Sequence, residues 1–320
     1  MSRSSIALTT IITLAIIGCQ SHPATTEPSS AASANSKSLP KRFTYTPKPY
    51  PVDERGFSPV DKSLAKSYAR EDMVQDDAEG SLNPYVLKVL SAYPVDGSYP
   101  YHCSWQPREY DIYNGVTQDM WYKGMVVAKA YPDGSRCSYC CGFTFEAFVR
   151  AMKLRNTQKG LDPDDFNHMT FGDLFNLLQF WYIEGSGDSE QRGITAYGLG
   201  KAVQLEDAKA GDFLSYSTTP AGGHAVVFTG FLKDDASDPN KITGIKYFSS
   251  NLSGTQGVGP GQAHFSDSTK TGKGVLRKSL KIARVMSIAD YKPFDRTKIP
   301  QRNAYAPTQP DRIVYLPTKK

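Results

Sequence analysis

Residues 140–149 read CCGFTFEAFV. Apolar side chains recur from it at helical spacing: Phe145, Phe148, Val149 and Met152. The spacing predicts a buried helix that begins at the two cysteines. The first N–H groups of a helix are unpaired and its dipole is positive at that end, so a thiol there has a lowered pKa. We therefore expect a nucleophilic thiolate at the start of this helix.

A second helix and a group of strands are predicted downstream. The helix is indicated by Leu174, Leu177, Leu178, Trp181 and Tyr182, which share helical spacing. Short apolar runs at 212–216, 224–231 and 242–248, joined by polar turns, predict an antiparallel meander. Helices followed by strands indicate an α+β fold, in which a sheet packs one face on a preceding helix. The glycine-rich run 254–261 lacks the Lys-Ser/Thr of a phosphate loop, and we expect a loop beside the cleft.

A cysteine nucleophile needs a base, and His224 is the best placed of the five histidines. It follows Gly222 and Gly223 and begins the apolar run that ends near Phe231. A strand holds an imidazole rigidly through its backbone, and glycines beside it leave the ring open to a partner. The alternative is a histidine that only satisfies its own strand.

Three segments in order carry a resemblance to a known family. CCGF opens the helix at residue 140, GDFLSY begins at residue 211 and GHAVVF begins at residue 223. This order resembles the NlpC-type branch of the papain-like cysteine peptidases, which are bacterial cell-wall hydrolases. The resemblance covers about residues 113–251 and implies a papain-like core, with the nucleophile helix packed on an antiparallel sheet and an extra helical insertion.

The resemblance also implies roles for individual residues. Cys140 matches the nucleophile and His224 the base, and Asn251 is our choice for the residue that orients the imidazole, because an amide oxygen accepts a hydrogen bond from its second nitrogen. Alternatives stay open at Cys141, Ser250 and His264, and an upstream tyrosine that helps to bind the oxyanion is expected at Tyr131 or Tyr139.

The chain departs from the family pattern in places. Tyr139 stands where an aspartate commonly precedes the nucleophile, and Cys141 replaces a serine. About forty residues within 156–206 separate the nucleophile helix from the Gly-Asp strand, and residues 59–110 have no counterpart in the resemblance. These departures leave the role of the upstream segment open.

The sequences at the two ends of the chain predict an export signal, a membrane anchor and connecting segments. Residues 1–18 form a short apolar stretch after Arg3 that ends at Cys19, which resembles the lipobox of a bacterial lipoprotein signal, with Cys19 lipidated. The alternative is an ordinary signal peptide cut elsewhere. Residues 19–58 are a Ser/Ala/Pro-rich linker, 59–290 are predicted as the catalytic domain, and 291–320 are a Pro-rich arm. We expect an exported protein held by lipid on a bacterial membrane at the cell envelope.

Composition excludes several classes. The 320 residues are 39% hydrophobic and 22% charged, which is typical of a soluble globular protein rather than a disordered chain. The net charge of +5, from 37 basic against 32 acidic residues, is too small and scattered to predict nucleic-acid binding. No cofactor is predicted.

The remaining cysteines allow other interpretations. Cys103 and Cys137 are candidates for a structural disulfide, since an exporting compartment permits one. A redox pair of Cys137 and Cys140 lacks the preceding strand that such motifs have, and a zinc site is disfavoured because adjacent cysteines seldom converge on one ion. We predict no metal.

Two functions from different classes follow. The first is a thiol hydrolase, a cysteine peptidase or amidase, that cleaves amide bonds in peptidoglycan stem peptides through a thioester; an acyltransferase of the same fold is the near rival. The second is a non-catalytic, disulfide-bonded envelope lipoprotein that binds cell-wall or protein partners. A free thiol at Cys140 favours the hydrolase, and disulfide bonds at the cysteines after Cys19 favour the scaffold.

Overall fold

The structure is a computed structural model that describes residues 73–103, 113–182, 189–219, 222–233, 238, 240–252 and 256–300. It is a mixed α+β fold, with four helices and nine strands in those ranges. The predicted signal, the Cys19 anchor, the linker and most of the C-terminal arm lie outside the described residues. No helix in the described ranges combines the length and apolarity that a membrane crossing needs.

The central helix of the fold begins at the two cysteines. Helix α1 spans Asn83–Leu90, and helix α2 spans Cys140–Gln158. Tyr139, the residue before α2, has an extended backbone conformation. Phe143, Phe145 and Phe148 are fully buried, so the helical spacing of the apolar residues marks the face of α2 that packs in the core. The Thr144 hydroxyl accepts from the Trp181 indole at 2.9 Å and so joins α2 to the second predicted helix. The apolar spacing therefore predicted this helix correctly.

The segment between α2 and the Gly-Asp strand contains two helices, in line with the predicted helical insertion. Helix α3 spans Phe171–Trp181, and a capping box between Thr170 and Asp173 fixes its start. Helix α4 spans Glu190–Ala196, and the Ser189 hydroxyl accepts from Arg192 N at its start. Both helices pack against the sheet or its neighbours, so the insertion belongs to the core and not to a separate unit.

The sheet is antiparallel throughout. Its path is β3 (Gly200–Ala202), β9 (Lys281–Val285), β4 (Phe213–Thr219), β5 (Gly223–Leu232), β6 (Gly244–Ser250) and β7 (Val258–His264), while β8 (Gly274–Val275) pairs with β4. A separate hairpin pairs β1 (Met120–Tyr122) with β2 (Met125–Ala128). The three predicted strands are confirmed as β4, β5 and β6.

The prediction of a loop over 254–261 is wrong for its second half. Val258 begins β7, and Val258 to Gly261 pair with Ser250 to Tyr247 of β6. Glycine and proline lower strand propensity, which hid the strand. The close register with β6 overrides that propensity, because Gly261 gives the Tyr247 ring the space that a side chain would fill.

The sheet is covered on both faces. Alternate residues of β4 and β5, including Phe213, Ala225 and Val227, pack with α2 and α3 in the main core. The intervening residues, including Leu214 and Val226, pack with a second apolar cluster on the other face. Helix α1, in the upstream segment without a predicted role, packs on α2. The start of α2 consequently lies at one end of the sheet.

Candidate active site

His224 lies at the start of β5, as the sequence predicted. Gly222 precedes it with a φ of +131°, a backbone conformation that favours glycine. The imidazole is half-buried and packs on two tyrosine rings. Its centroid is 5.8 Å from that of Tyr216 and 5.5 Å from that of Tyr247, and both contacts are edge to face. The centroids of the two tyrosine rings lie 6.3 Å apart, so the imidazole and both tyrosines form one aromatic cluster.

Asn251 contacts the imidazole directly. Its Oδ1 lies 3.2 Å from His224 Nε2. Its Nδ2 donates to the Ser249 and Gly259 carbonyls, both at 3.1 Å, so the amide oxygen is the atom that faces the ring. An amide oxygen only accepts, so Nε2 is the nitrogen that carries the proton. His224 Nδ1 is then the nitrogen that can act as a base.

The two alternatives to Asn251 lie elsewhere. The Ser250 hydroxyl donates to the Ser138 carbonyl at 3.0 Å, so it fixes the approach to α2 and does not orient the imidazole. The alternative at His264 is wrong, because His264 pairs with Gly244, at the opposite end of β6 from Ser250. Six residues of strand separate those ends by about 20 Å.

Cys140 is the first residue of α2 and is 1% exposed. No side chain caps the start of this helix, so the first-turn N–H groups are not taken by a cap. The hydrogen bond between Ser250 and Ser138 holds the chain two residues before Cys140 against the end of β6, next to Asn251. The cysteine and the His224–Asn251 pair therefore lie at the same end of the sheet.

The electrostatics of two tyrosines agree with that position. Burial raises the pKa of the Tyr216 hydroxyl well above its usual value, and the pKa of Tyr247 is raised for the same reason. In both, a charge on the Cys140 sulfur raises the pKa further. The thiol is thus within electrostatic range of the two rings that flank His224. Both tyrosines escaped sequence reasoning, although the short hairpin that sets Tyr216 opposite His224 could have indicated the first.

Cys141 lies beside Cys140, with 3.7 Å between the two sulfurs. It is also 1% exposed. The choice between these neighbouring sulfurs as nucleophile stays a prediction in favour of Cys140.

The expected oxyanion tyrosines belong to a separate aromatic cluster. Tyr131 packs on His102 and Tyr113, with centroids 4.9 and 5.1 Å apart, and Tyr139 packs on Tyr113 at 5.5 Å. Tyr182 completes the cluster beside Tyr139. Whether Tyr131 or Tyr139 meets an oxyanion stays a prediction.

The prediction of a disulfide between Cys103 and Cys137 is wrong for this structure. Both are free thiols, as are Cys140 and Cys141. The Tyr113 hydroxyl donates to the His102 carbonyl at 3.1 Å. Burial raises the pKa of this hydroxyl, and charges on the Cys137 and Cys103 sulfurs raise it further.

Gly142, the glycine of CCGF, is required for steric reasons. A Cβ at this position would lie 2.3 Å from the backbone of Asn114 and Gly115. The segment before β1 therefore crosses the first turn of α2 in direct backbone contact. It is held there by Tyr182, whose hydroxyl donates to the Asn114 carbonyl at 2.5 Å.

Asp212, the aspartate of the Gly-Asp strand, is structural. Its buried carboxylate accepts two hydrogen bonds of 2.8 Å from the Arg284 guanidinium and one of 2.8 Å from Asn83 Nδ2. Arg284 also pairs with Glu79 at 3.0 Å. This network ties α1, β4 and β9 together behind the site.

Neither a metal site among the described residues nor a similar known protein was found. In the part of the chain that the structure describes, no three His, Cys, Asp or Glu side chains converge to hold a metal ion. Comparison of the chain with family models, curated proteins and solved structures finds no match.

Proposed function

We propose that this protein is a thiol hydrolase that cleaves amide bonds through Cys140, His224 and Asn251. The observation that carries the proposal is the 3.2 Å contact between Asn251 Oδ1 and His224 Nε2, which leaves Nδ1 as the base. The helix that begins at Cys140 starts at the same end of the sheet. An orienting amide, a fixed imidazole and a thiol are the parts that a cysteine nucleophile needs.

The chemistry follows from these parts. His224 Nδ1 takes the proton from Cys140, and the sulfur attacks the carbonyl carbon of the substrate amide. The backbone N–H groups at the start of α2 stabilise the oxyanion. The C–N bond then breaks, the amine leaves with the proton from the imidazole, and a thioester remains. His224 next activates water, which attacks the thioester and releases the acid while Cys140 regains its proton.

We infer further that the core is of the papain-like NlpC type. Support comes from α2 packing on β5 and β6, with Phe143 and Phe248 in ring contact at 5.9 Å, and from the chain order of the cysteine helix, the Gly-Asp strand and the His strand. The insertion that forms α3 and α4 is the main departure from that pattern.

The substrate is proposed from the resemblance and the N-terminal sequence. An NlpC-type enzyme anchored by a lipidated Cys19 on a bacterial membrane would meet peptidoglycan, so stem peptides are the proposed substrate and no nucleic acid is involved. The disulfide-bonded scaffold is the weaker candidate, because the cysteines in the described ranges are free thiols.

The experiment compares Cys140→Ala with Cys141→Ala. Each variant is incubated with purified muropeptides, and the products are identified by mass spectrometry. We expect Cys140→Ala to lose at least about a thousandfold in kcat/KM and Cys141→Ala to retain most of the activity. The two variants differ by one position in the same buried turn, so each controls for the other's effect on folding.

Other outcomes are equally informative. Loss of activity in Cys141→Ala alone would move the nucleophile to Cys141. Transfer of the acyl group to an added amine or lipid instead of water would identify an acyltransferase. Unchanged turnover in both variants would overturn the thioester mechanism.

A further inference from the structure

Glu190 is the first residue of α4 and is 1% exposed. Four carboxyl side chains are buried in the described part of the chain, and three of them have a basic partner. Glu146 pairs with Arg150, Asp173 with Arg296 and Asp212 with Arg284. Glu190 has no such partner, and neither of its carboxyl oxygens has a hydrogen bond of acceptable geometry within the described residues.

The surroundings of Glu190 lead to the candidate active site. Helix α4 packs on β4, where the Ser215 hydroxyl is the polar neighbour of the carboxyl. Ser215 lies opposite Ala225 in β5, the residue after His224. Ser215 and Ala225 alternate with Leu214 and Val226, so they face the side of the sheet on which α2 packs. Cys140 begins α2 on that side, and a charge on its sulfur acts on the Glu190 carboxyl.

Charged groups on the neighbouring elements are engaged elsewhere. On α4 itself, the Arg192 guanidinium lies over the Phe180 ring. Arg284 of β9 pairs with Asp212 and Glu79, Lys201 of β3 pairs with Glu79, and Asp173 of α3 pairs with Arg296. Lys281 of β9 is exposed. Among the described ionisable groups, Cys140 is the one whose charge acts on the Glu190 carboxyl.

We propose, on the basis of the thiol-hydrolase function above, that Glu190 is a positioning residue for Cys140: held as a neutral carboxylic acid, it leaves the sulfur as the group that carries negative charge in the site. Two like charges in a buried region oppose each other strongly, so a carboxylate at Glu190 would favour the protonated thiol. A neutral carboxyl removes that opposition. Ionisation of Glu190 at high pH would restore it.

Burial supports this assignment. It raises the pKa of Glu190 to about 8, and a charge on Cys140 raises it further, while Ser215 acts in the opposite direction. The carboxyl is accordingly neutral at neutral pH. A buried acid without a counter-ion takes up a proton because the charged form loses its hydration.

The test measures the reactivity of Cys140 as a function of pH. The full chain and its Glu190→Gln variant are treated with iodoacetamide, a neutral probe, and the labelled peptides are quantified by mass spectrometry. The two proteins should alkylate Cys140 equally at about pH 6, where both side chains are neutral. At about pH 9 the variant should react about threefold to tenfold faster, because it has no carboxylate to oppose the thiolate.

Two controls keep the result specific. Cys103, which lies beside Tyr113, should show the same rate in both proteins at every pH. Glu206→Gln removes an acidic charge from an exposed position and should leave the Cys140 profile unchanged. If Glu190→Gln does not fold, the same alkylation rates are measured on Glu190→Leu, which is neutral and apolar.

The outcomes separate this inference from the proposed function. Alkylation needs no substrate, so a protein that cleaves no muropeptide but shows the pH-dependent difference would overturn only the hydrolase. Identical Cys140 profiles in the variant and the parent at both pH values would overturn the role of Glu190, whatever the activity. A slower rate in the variant at about pH 6 would also contradict it, since no charge differs there.

Discussion

Tyr216 lies directly opposite His224 across the hairpin of β4 and β5, and the two rings meet edge to face with centroids 5.8 Å apart. Tyr247 also contacts the imidazole, and its ring centroid lies 6.3 Å from that of Tyr216, so the two tyrosines pack together against His224. The polar contact of the imidazole is made by Asn251. A catalytic base held in one orientation loses less freedom on reaching the transition state.

The Tyr216 ring should therefore matter for turnover more than its hydroxyl does. We expect Tyr216→Ala to lower kcat on muropeptides by about tenfold, because the imidazole gains rotational freedom. Tyr216→Phe keeps the ring and should retain most of the activity. Equal losses in both variants would instead assign the effect to the hydroxyl, which interacts with Tyr247.

Asn251 should control the orientation of the base. Asn251→Ala removes the acceptor at Nε2, and we expect kcat to fall by about ten- to a hundredfold, a part of what general acid–base groups contribute. Asn251 Nδ2 also donates to the Ser249 and Gly259 carbonyls, so the thermal midpoint of the variant is measured beside its kinetics. Unchanged kinetics in a folded variant would remove Asn251 from the proposed mechanism.

Gly142 should tolerate no side chain. A methyl group there would lie 2.3 Å from the backbone of Asn114 and Gly115, and Gly142→Ala should cost about 1–3 kcal/mol in the free energy of unfolding. Gly134→Ala is a comparison of a different kind, because that glycine has open space around it but a φ of +77°. Chemical denaturation measures both. A Gly142→Ala protein as stable as the parent would show that the crossing segment can move away.

Replacing only one partner of the Asp212–Arg284 ion pair should strongly lower the free energy of unfolding. Arg284→Leu leaves a buried carboxylate without its partner, and we expect a loss of about 3–5 kcal/mol in the free energy of unfolding. Adding Asp212→Asn removes that charge and should recover part of the loss. A double variant less stable than the sum of both single variants would contradict this account of the pair.

Glu79 should contribute to stability except in acid. Its hydrogen bond with Lys209, followed by that with Arg284, lowers its pKa from 4.5 to about 2. A carboxyl with a lowered pKa in the folded state adds stability above its unfolded pKa, and loses it as the pH falls through the folded value. Glu79→Gln should therefore destabilise the protein above pH 4.5, and the difference from the parent should shrink toward about pH 2. A difference that does not vary with pH would assign the effect to packing.

The amino-acid sequence alone determined the parts of this protein that depend on local periodicity. The phenylalanines of α2 fixed that helix, the apolar runs fixed β4, β5 and β6, and His224 and Asn251 could be selected by their places at strand ends. Strand β7 was missed because the strong pairing with β6, and not its own glycines and proline, makes it a strand.

Tertiary structure alone decided what stands around those residues. It set Tyr216 and Tyr247 against the imidazole, left Cys103 and Cys137 as free thiols, and buried Glu190 without a counter-ion. These relationships join residues that are distant in the chain. The physical reason is that burial, counter-ions and ring contacts depend on which elements pack together, and no local pattern encodes that.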